Sequence, residues 1–244
     1  MGERKTVFIT GASRGIGHAT AQYFVRQGWR AITCSRDVVP AQCPRNERHA
    51  HITADLADTE RLEEAIEGLH RVLAGEPLHA LVNNAGYSPK SDGGKRLGCL
   101  DGDLGVWEKT FAINFFAAVY FSRACSSLLA ETKGAIVNIT SIAGSRVHPF
   151  AGSAYSTSKA ALTALTRELA ADLAHLGIRA NAVCPGEINT AILSPGTAEI
   201  VDRIPMRRLG SPEEVASVIL YLCSPGASYI TGAEIPVNGG QDVY

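Results

Sequence analysis

Short apolar runs alternate with longer amphipathic stretches along most of the chain. The apolar runs have the length and β-branched content of buried strands, and they cover residues 6–9, 31–34, 49–53, 80–82, 135–140 and 178–184. The longer stretches carry apolar residues at helical spacing, and they cover residues 16–27, 58–73, 106–131 and 154–176. Strands that alternate with helices in this order predict right-handed crossovers and a parallel sheet with helices on both faces.

Residues with known end preferences mark several helix boundaries. Asp58 or Thr59 can cap the second helix, and Gly177 suits the position after the last turn of the fourth. Ser211 and Pro212, followed by two glutamates, predict the start of a further helix. The chain shows no repeat or break in composition. We therefore predict one α/β domain over residues 1–244, a single doubly wound parallel sheet of the Rossmann type.

Composition and charge exclude several classes of protein. The chain of 244 residues is 45% hydrophobic and 19% charged, which is typical of a globular domain with a large core. A formal net charge of −1 argues against nucleic-acid binding, and no apolar run approaches the ~18 residues that span a membrane. The six cysteines form no CxxC pair and the seven histidines no HExxH motif. We expect reduced thiols, no metal site and a cytoplasmic location.

A glycine-rich turn follows the first predicted strand, with the sequence Thr10-Gly11-Ala12-Ser13-Arg14-Gly15-Ile16-Gly17. Such a turn lets the backbone approach a phosphate closely, and the helix after it supplies free N–H groups for a pyrophosphate. Strand-to-helix turns also need glycine for purely conformational reasons. The turn matches the Gly-x-Ser-x-Gly elbow of hydrolases too, but the last histidine, His175, falls inside a predicted helix. A dinucleotide cofactor is therefore the favoured interpretation.

Candidate acid–base chemistry lies in the second half of the chain. Tyr155 and Lys159 are four residues apart in a predicted helix and share one face. A nearby ammonium lowers the pKa of a tyrosine and makes proton transfer feasible, although such a pair alone is also typical of a solvated helix face. Thr140 and Ser141 end a strand, and strand alternation points them to opposite faces, so only one of the two hydroxyls can stabilise an oxyanion there.

Taken together, the motifs of this chain resemble those of the short-chain dehydrogenase/reductase family. The matching residues occur in order over nearly the whole chain: Thr10-Gly11-x-x-x-Gly15-Ile16-Gly17, Asn83-Asn84-Ala85-Gly86, Ser141, Tyr155-x-x-x-Lys159, Pro185-Gly186, Tyr229-Ile230-Thr231-Gly232 and Val237-Asn238-Gly239-Gly240. The family more often has Asp where Asn238 stands. Within it, the chain looks most similar to 3-oxoacyl-[acyl-carrier-protein] reductases and generic carbonyl reductases.

The resemblance implies a role for each of four catalytic residues. It selects Ser141 over Thr140 as the group that orients the carbonyl, and it makes Tyr155 the acid and base. Lys159 would lower the pKa of the tyrosine and hold the nicotinamide ribose. Asn114 would bind a water that passes protons between Lys159 and solvent. The alternative for Asn114 is a local side-chain hydrogen bond in a kinked helix.

The resemblance also implies the cofactor contacts. They are Gly11, Ser13, Arg14, Gly15, Ile16, Gly17, Ser35, Arg36, Asp55, Leu56, Asn84, Ala85, Gly86, Tyr155, Lys159, Pro185, Gly186, Ile188 and Thr190. Asp55 would bind the adenine amine, and its alternative is to cap the helix that begins near residue 58. Asn84 and its neighbours could instead provide only turn chemistry.

The residues at the end of the second predicted strand favour NADP(H) as the cofactor. The family register puts Ser35 where NAD-dependent enzymes carry an acidic residue, and Arg36 and Arg14 can bind the 2′-phosphate. Asp37 is the opposing observation, because a slip of one or two residues would make it the NAD-selecting acid. The other alternative is that Arg36 and Asp37 form only a surface ion pair.

We therefore expect an NADP(H)-dependent reductase of a ketone, such as a 3-oxoacyl thioester. The alternatives are a dehydrogenase of a polyol, steroid or xenobiotic alcohol and a nucleotide-sensing or scaffold protein without turnover. Loops 87–105 and 189–209 are the expected substrate walls, and arginines in 203–208 could meet an acyl carrier protein. A homotetramer is expected, with the helices at 106–131 and 154–176 at the interface. The leucines of the second helix, at positions 162 to 173, could equally face the core.

Overall fold

A computed structural model of the protein describes residues 4–36, 48–190 and 198–243. Its centre is a seven-stranded sheet in the order β3-β2-β1-β4-β5-β6-β7, and all neighbouring strands are parallel. The strands are β1 (Thr6–Thr10), β2 (Arg30–Ser35), β3 (His49–Thr53), β4 (Ala80–Asn83), β5 (Ala135–Ile139), β6 (Arg179–Pro185) and β7 (Glu234–Val237). The predicted doubly wound parallel sheet is confirmed.

Helices cover both faces of this sheet. They are α1 (Gly15–Arg26), α2 (Thr59–Leu73), α3 (Leu104–Phe111), α4 (Ala117–Ala124), α5 (Ser126–Thr132), α6 (Ser153–Leu173), α7 (Ala198–Val201) and α8 (Pro212–Leu222). Neighbouring residues of β1 enter different halves of the core. Ile9 packs in the cluster that holds Phe24 of α1 and Ile219 of α8. Phe8 packs in the other, with Leu69 of α2 and Phe121 of α4. Because both faces are buried, the strands read as continuous apolar runs.

The end residues act mostly as the sequence indicates. Asp58 caps α2 by accepting a hydrogen bond from the Glu60 N–H. Ser211 and Glu214 form a reciprocal capping box at the start of α8. After α6, a 3₁₀ turn over Ala174–Leu176 ends at Gly177, whose φ is +75°. A glycine is favoured there because this left-handed conformation strains residues with a Cβ atom.

The single long helix expected over residues 106–131 is wrong. A π-helical segment, Ala112–Phe116, separates α3 from α4, and a bend of 56° separates α4 from α5. The apolar spacing runs through both interruptions, so the sequence pattern does not reveal them. Within the described residues, no single helix is long and apolar enough to cross a membrane. Residues 104–124 and 126–132 meet the length and composition of a span only when they are taken together across the bend.

Two further differences concern the edge of the sheet and α6. Strand β7 was not predicted, since it has four residues and contains Pro236. Proline is tolerated there because β7 is an edge strand that pairs only with β6. On α6, Leu162 is fully buried, while Leu169 and Leu173 pack against the core. These three leucines therefore face the core, which is the alternative to a subunit interface for this helix.

Candidate active site

A cavity of about 420 Å³ opens at the carboxyl ends of the central strands. This is the edge at which open α/β sheets bind ligands. The predicted cofactor residues that line it are Gly11, Ser13, Arg14, Gly15, Ile16, Ser35, Arg36, Asp55, Leu56, Asn84, Ala85, Gly86, Tyr155, Lys159, Pro185, Gly186, Ile188 and Thr190. Ser141 lines it as well. The fold thus brings residues from the whole length of the chain to one site.

The first turn of α1 has the properties of an anion-binding site. Arg14 precedes the helix and makes no side-chain capping hydrogen bond, and the first turn contains no acidic residue. The N–H groups of this turn, with the positive end of the helix dipole, therefore suit a phosphate. Gly11 has φ +67°, and a Cβ there would lie 2.6 Å from the Cα of Ala85. The glycine-rich turn thus fits the pyrophosphate of a dinucleotide.

Gly17 is the one predicted cofactor residue that does not line the cavity. A Cβ at Gly17 would lie 2.3 Å from Asn84 Nδ2 and 2.5 Å from the Gly11 carbonyl oxygen. Asn84 in turn donates from Nδ2 to the carbonyls of Thr10 and Gly11, both at 2.9 Å. Gly17 is therefore needed for packing under the turn, and Asn84 fixes the shape of the turn in addition to lining the cavity.

The end of β2 places Ser35 and Arg36 on the cavity, together with Arg14 from the glycine turn. Ser35 is buried, with its hydroxyl 3.3 Å from His51 Nε2, and Arg36 is exposed. Asp37 lies outside the described residues. At the end of β3, Asp55 accepts from the Ala57 N–H at 3.1 Å. The capping alternative for Asp55 is wrong.

Ser141 and Tyr155 meet at the wall of the cavity. The Ser141 side chain acts on the Tyr155 hydroxyl and by itself lowers the pKa of the tyrosine. Thr140 points elsewhere, because its hydroxyl donates to the Val183 carbonyl and lies 2.7 Å from Glu234 Oε1. The strand end therefore separates the two hydroxyls as alternation predicts, with Ser141 beside the tyrosine.

Lys159 is buried one turn after Tyr155 on α6. Its ammonium donates to the Ile139 carbonyl at 2.6 Å and lies 5.8 Å from the centre of the Tyr155 ring. Burial lowers the pKa of Lys159 to about 8. The pKa of Tyr155 is raised, chiefly because burial disfavours the tyrosinate. The net shift of the Tyr155 pKa is therefore upward, opposite to the lowering expected from the nearby ammonium, because desolvation outweighs the other contributions.

Asn114 lies in the π-helical segment and is buried behind the site. Its Oδ1 accepts from the Tyr87 N–H at 2.7 Å, and its Nδ2 donates to the Tyr87 carbonyl and to Ser158 Oγ. Asn114 therefore ties the loop after β4 to the helix that carries Tyr155 and Lys159. The helix is distorted here, as the alternative for Asn114 held, but the side chain bonds distant elements instead of its own helix.

The lining also includes Lys90, His148 and Glu187, which were not predicted as site residues. The sequence does indicate Glu187 as a site residue, since this carboxylate follows Pro185-Gly186 directly at the end of an apolar strand. No group of three or more potential metal ligands occurs among the described residues.

An uncapped helix after a glycine turn and a Ser-Tyr-Lys group on the same cavity define a nucleotide-dependent oxidoreductase of the Rossmann class. Residues 11–242 match the family model described as enoyl-(acyl carrier protein) reductase. The chain belongs to the short-chain dehydrogenase/reductase family, as its motifs predicted.

Relatives match almost the full length of the chain. Protein FixR of Bradyrhizobium diazoefficiens is 54% identical over 98% of this chain and 87% of its own. Galactitol 2-dehydrogenase (L-tagatose-forming) of Cereibacter sphaeroides is 36% identical over 97% of this chain and 94% of its own.

Solved structures show the same fold. A Brucella ovis oxidoreductase of this family, in complex with partially ordered NAD, has a TM-score of 0.82 and 47% identity, covering 97% of this chain and 100% of its own. A 3-oxoacyl-[acyl-carrier protein] reductase of Brucella melitensis with bound NAD has a TM-score of 0.86 and 31% identity, covering 98% and 91%.

Proposed function

We propose that the protein interconverts a ketone and a secondary alcohol with NADP(H) as the hydride carrier. The observation that carries this proposal is that Ser141, Tyr155 and Lys159 line the same cavity as the uncapped end of α1. A proton donor and an anion-binding turn on one cavity are what a nicotinamide-dependent reduction requires.

Tyr155 and Ser141 have distinct tasks. The nicotinamide, when bound, supplies or accepts the hydride. Tyr155 gives its hydroxyl proton to the oxygen of the ketone, or takes it back in the reverse direction. Ser141 donates a hydrogen bond to the same oxygen and orients it. Because these interactions strengthen as negative charge develops on the oxygen, they favour the transition state.

Lys159 and Asn114 support this proton transfer. Lys159 has a pKa of about 8 and can therefore exchange a proton near neutral pH. Its ammonium would also hold the ribose of the cofactor. The water relay at Asn114 stays a prediction. The contacts of Asn114 with Tyr87 and Ser158 support a positioning role in addition.

The preference for NADP(H) rests on Arg14, Arg36 and Ser35. All three residues line the cavity, and two guanidinium groups suit a 2′-phosphate better than a hydroxyl. The two Brucella structures carry NAD, which favours the opposite choice. The comparison of kcat/KM for NADPH and NADH decides between the two cofactors. Arg36→Ala should reduce the value for NADPH selectively, while Arg71→Ala on the distant surface of α2 should change neither.

The proton-transfer role is tested by Tyr155→Phe. We expect turnover to fall at least ~10²-fold, because the variant keeps the ring but loses the only hydroxyl that transfers the proton. Cofactor binding, measured by calorimetry, should remain close to that of the wild type. Near-native turnover in a folded variant would contradict the proposal. Cofactor binding without turnover of any carbonyl by the wild type would instead favour the nucleotide-sensing alternative.

Two substrate classes have support among similar proteins. A 3-oxoacyl thioester is favoured by the Brucella melitensis reductase, and a polyol by galactitol 2-dehydrogenase. Both names describe chemistry at a ketone or its alcohol, so they agree on the reaction. We further propose a cytoplasmic homotetramer. The five cysteines within the described residues are free thiols, which is compatible with a reducing compartment.

A further inference from the structure

The cavity carries three charged or titratable side chains besides the catalytic group. Lys90, His148 and Glu187 line it, and they come from three separate segments of the chain. His148 Nε2 lies 2.8 Å from Glu187 Oε1, with side chains 9% and 11% exposed. Burial lowers the pKa of Lys90 and raises that of Tyr155, and the negative charge of Glu187 acts upward on both. Glu187 thus shares the cavity with the catalytic tyrosine.

Hydrogen bonds fix the backbone of Glu187 and the side chain of Lys90. The Glu187 N–H donates to Gln241 Oε1 at 2.9 Å, and its carbonyl accepts from the Gly210 N–H at 2.9 Å. The Lys90 ammonium donates to the Phe150 carbonyl. An ammonium has three N–H groups, so this contact leaves Lys90 with donors for a ligand. The carboxylate likewise accepts more hydrogen bonds than the one from His148.

His148 uses both of its ring nitrogens in contacts within this part of the molecule. Its Nδ1 accepts from the Phe150 N–H at 3.3 Å, so the ring proton is on Nε2 and is donated to Glu187. This hydrogen bond occupies one acceptor position of the Glu187 carboxylate. One ammonium and one carboxylate then balance each other. A ligand with its own negative charge would be attracted by Lys90 but repelled by Glu187.

From this arrangement, which rests on the proposed function, we infer that the substrate is a neutral polyhydroxylated ketone or the corresponding polyol. A hydroxyl group donates to a carboxylate and accepts from an ammonium, and adjacent hydroxyls can satisfy Glu187 and Lys90 together. An acyl chain would remove water from both charges without replacing its hydrogen bonds, which is costly. The carbonyl carbon gains a hydride from reduced nicotinamide and its oxygen gains the Tyr155 proton, leaving a secondary alcohol and oxidised nicotinamide.

The test compares L-erythrulose with 2-butanone, which has the same four-carbon skeleton and carbonyl position but no hydroxyls. We expect the wild type to have the higher kcat/KM with erythrulose. Because an α-hydroxyketone is also intrinsically more reactive, the decisive quantity is the change in this ratio in a variant. Glu187→Gln should lower the erythrulose to 2-butanone ratio about tenfold or more, since the loss of a charged hydrogen-bond partner has that effect.

Lys90→Met provides a second variant with the same expectation should Glu187→Gln fail to fold. Glu67→Gln is the matched control, because this carboxylate lies on the surface of α2 with its side chain 72% exposed, and its ratio should equal that of the wild type. An unchanged ratio in Glu187→Gln and Lys90→Met would overturn the inference. So would a wild-type preference for acetoacetate or an acetoacetyl thioester. Absence of turnover with every carbonyl would overturn the proposed function as well.

Discussion

Tyr155 and its surroundings determine how the reaction depends on pH. Burial raises the pKa of the Tyr155 hydroxyl, the bond from Ser141 lowers it, and the charge of Glu187 raises it further. The protonated tyrosine is therefore the dominant form at neutral pH. This form is the one that donates a proton, so the site is suited to reduction near neutrality.

Alcohol oxidation needs the deprotonated tyrosine, so its rate should rise with pH. Glu187→Gln removes a negative charge near the hydroxyl, and the pKa of Tyr155 should fall as a result. We expect the rising limb of kcat/KM for 2-butanol to move to lower pH in this variant. The profile is measured with saturating oxidised cofactor, and Glu67→Gln serves as the control. A limb that stays in place or moves to higher pH would contradict the assigned charge of Glu187.

The residues of the site differ in how far the sequence reveals them. Tyr155 and Lys159 are visible because a helix puts positions four apart on one face, and Ser141 because it ends a strand. The contact of His148 with Glu187 joins positions 39 residues apart, and no local pattern predicts which loops meet. The direction of the Tyr155 pKa shift also depends on burial by the completed fold, which spacing alone does not give.

At the scale of elements, the turn between β1 and α1 shows how packing and ligand binding share one segment. Gly11 and Gly15 face the cavity, whereas Gly17 allows Asn84 to reach the turn. Asn84 follows β4 and thus links two neighbouring strands by its side-chain hydrogen bonds. Sequence spacing groups the three glycines together, and only the fold separates their roles.

Gly17→Ala should therefore destabilise the fold as well as weaken cofactor binding. The added methyl group would overlap Asn84 and the Gly11 carbonyl, and overpacking of this kind costs roughly 1–3 kcal/mol. For a domain of this size, this corresponds to a decrease in Tm of roughly 2–12 °C. Differential scanning calorimetry without ligand measures it. Gln27→Ala, at an exposed position directly after the same helix, is the control and should leave the Tm close to that of the wild type. A Tm of Gly17→Ala equal to that of the wild type would show that the turn can relax.

The breaks between α3, α4 and α5 show where hydrophobic periodicity fails to predict the ends of helices. Apolar residues continue at helical spacing through Ala112–Phe116 and across Cys125, so a single helix is the natural prediction. The π-helical segment coincides with Asn114, whose side chain bonds to Tyr87 and Ser158. Such insertions are frequent at functional sites. Tertiary contacts thus override a local pattern that is otherwise correct.

On the scale of the whole molecule, the order of elements was the most predictable property. Six of the seven strands follow from apolar runs, and alternation with helices determines that they are parallel. The remaining strand, β7, carries a proline and is short, and it forms because β6 offers a free edge. Many residues along the chain therefore specify the topology, whereas only a few residues specify the surface that contacts other molecules.

One such surface lies on the outer side of α3 and α4. Phe116 is 59% exposed, and its ring lies 5.2 Å from that of Phe115, which in turn lies 6.3 Å from Phe111. Leu104, at the start of α3, is also largely exposed. Exposed apolar groups in contact with one another are typical of protein–protein interfaces. This exposed apolar face is the basis for the subunit contact that we propose for α3 and α4.

We expect the wild-type protein to have about four times the 25.9 kDa mass of one chain in solution at micromolar concentration. Phe116→Glu should reduce this mass, because a charge at the centre of an apolar contact is desolvated without a partner. Light scattering coupled to gel filtration measures both proteins. Gln27→Glu adds the same charge at the exposed end of α1, away from the aromatic cluster, and should keep the wild-type mass. A monomeric wild type would exclude the tetramer, and an unchanged mass in Phe116→Glu would place the contact elsewhere on the molecule.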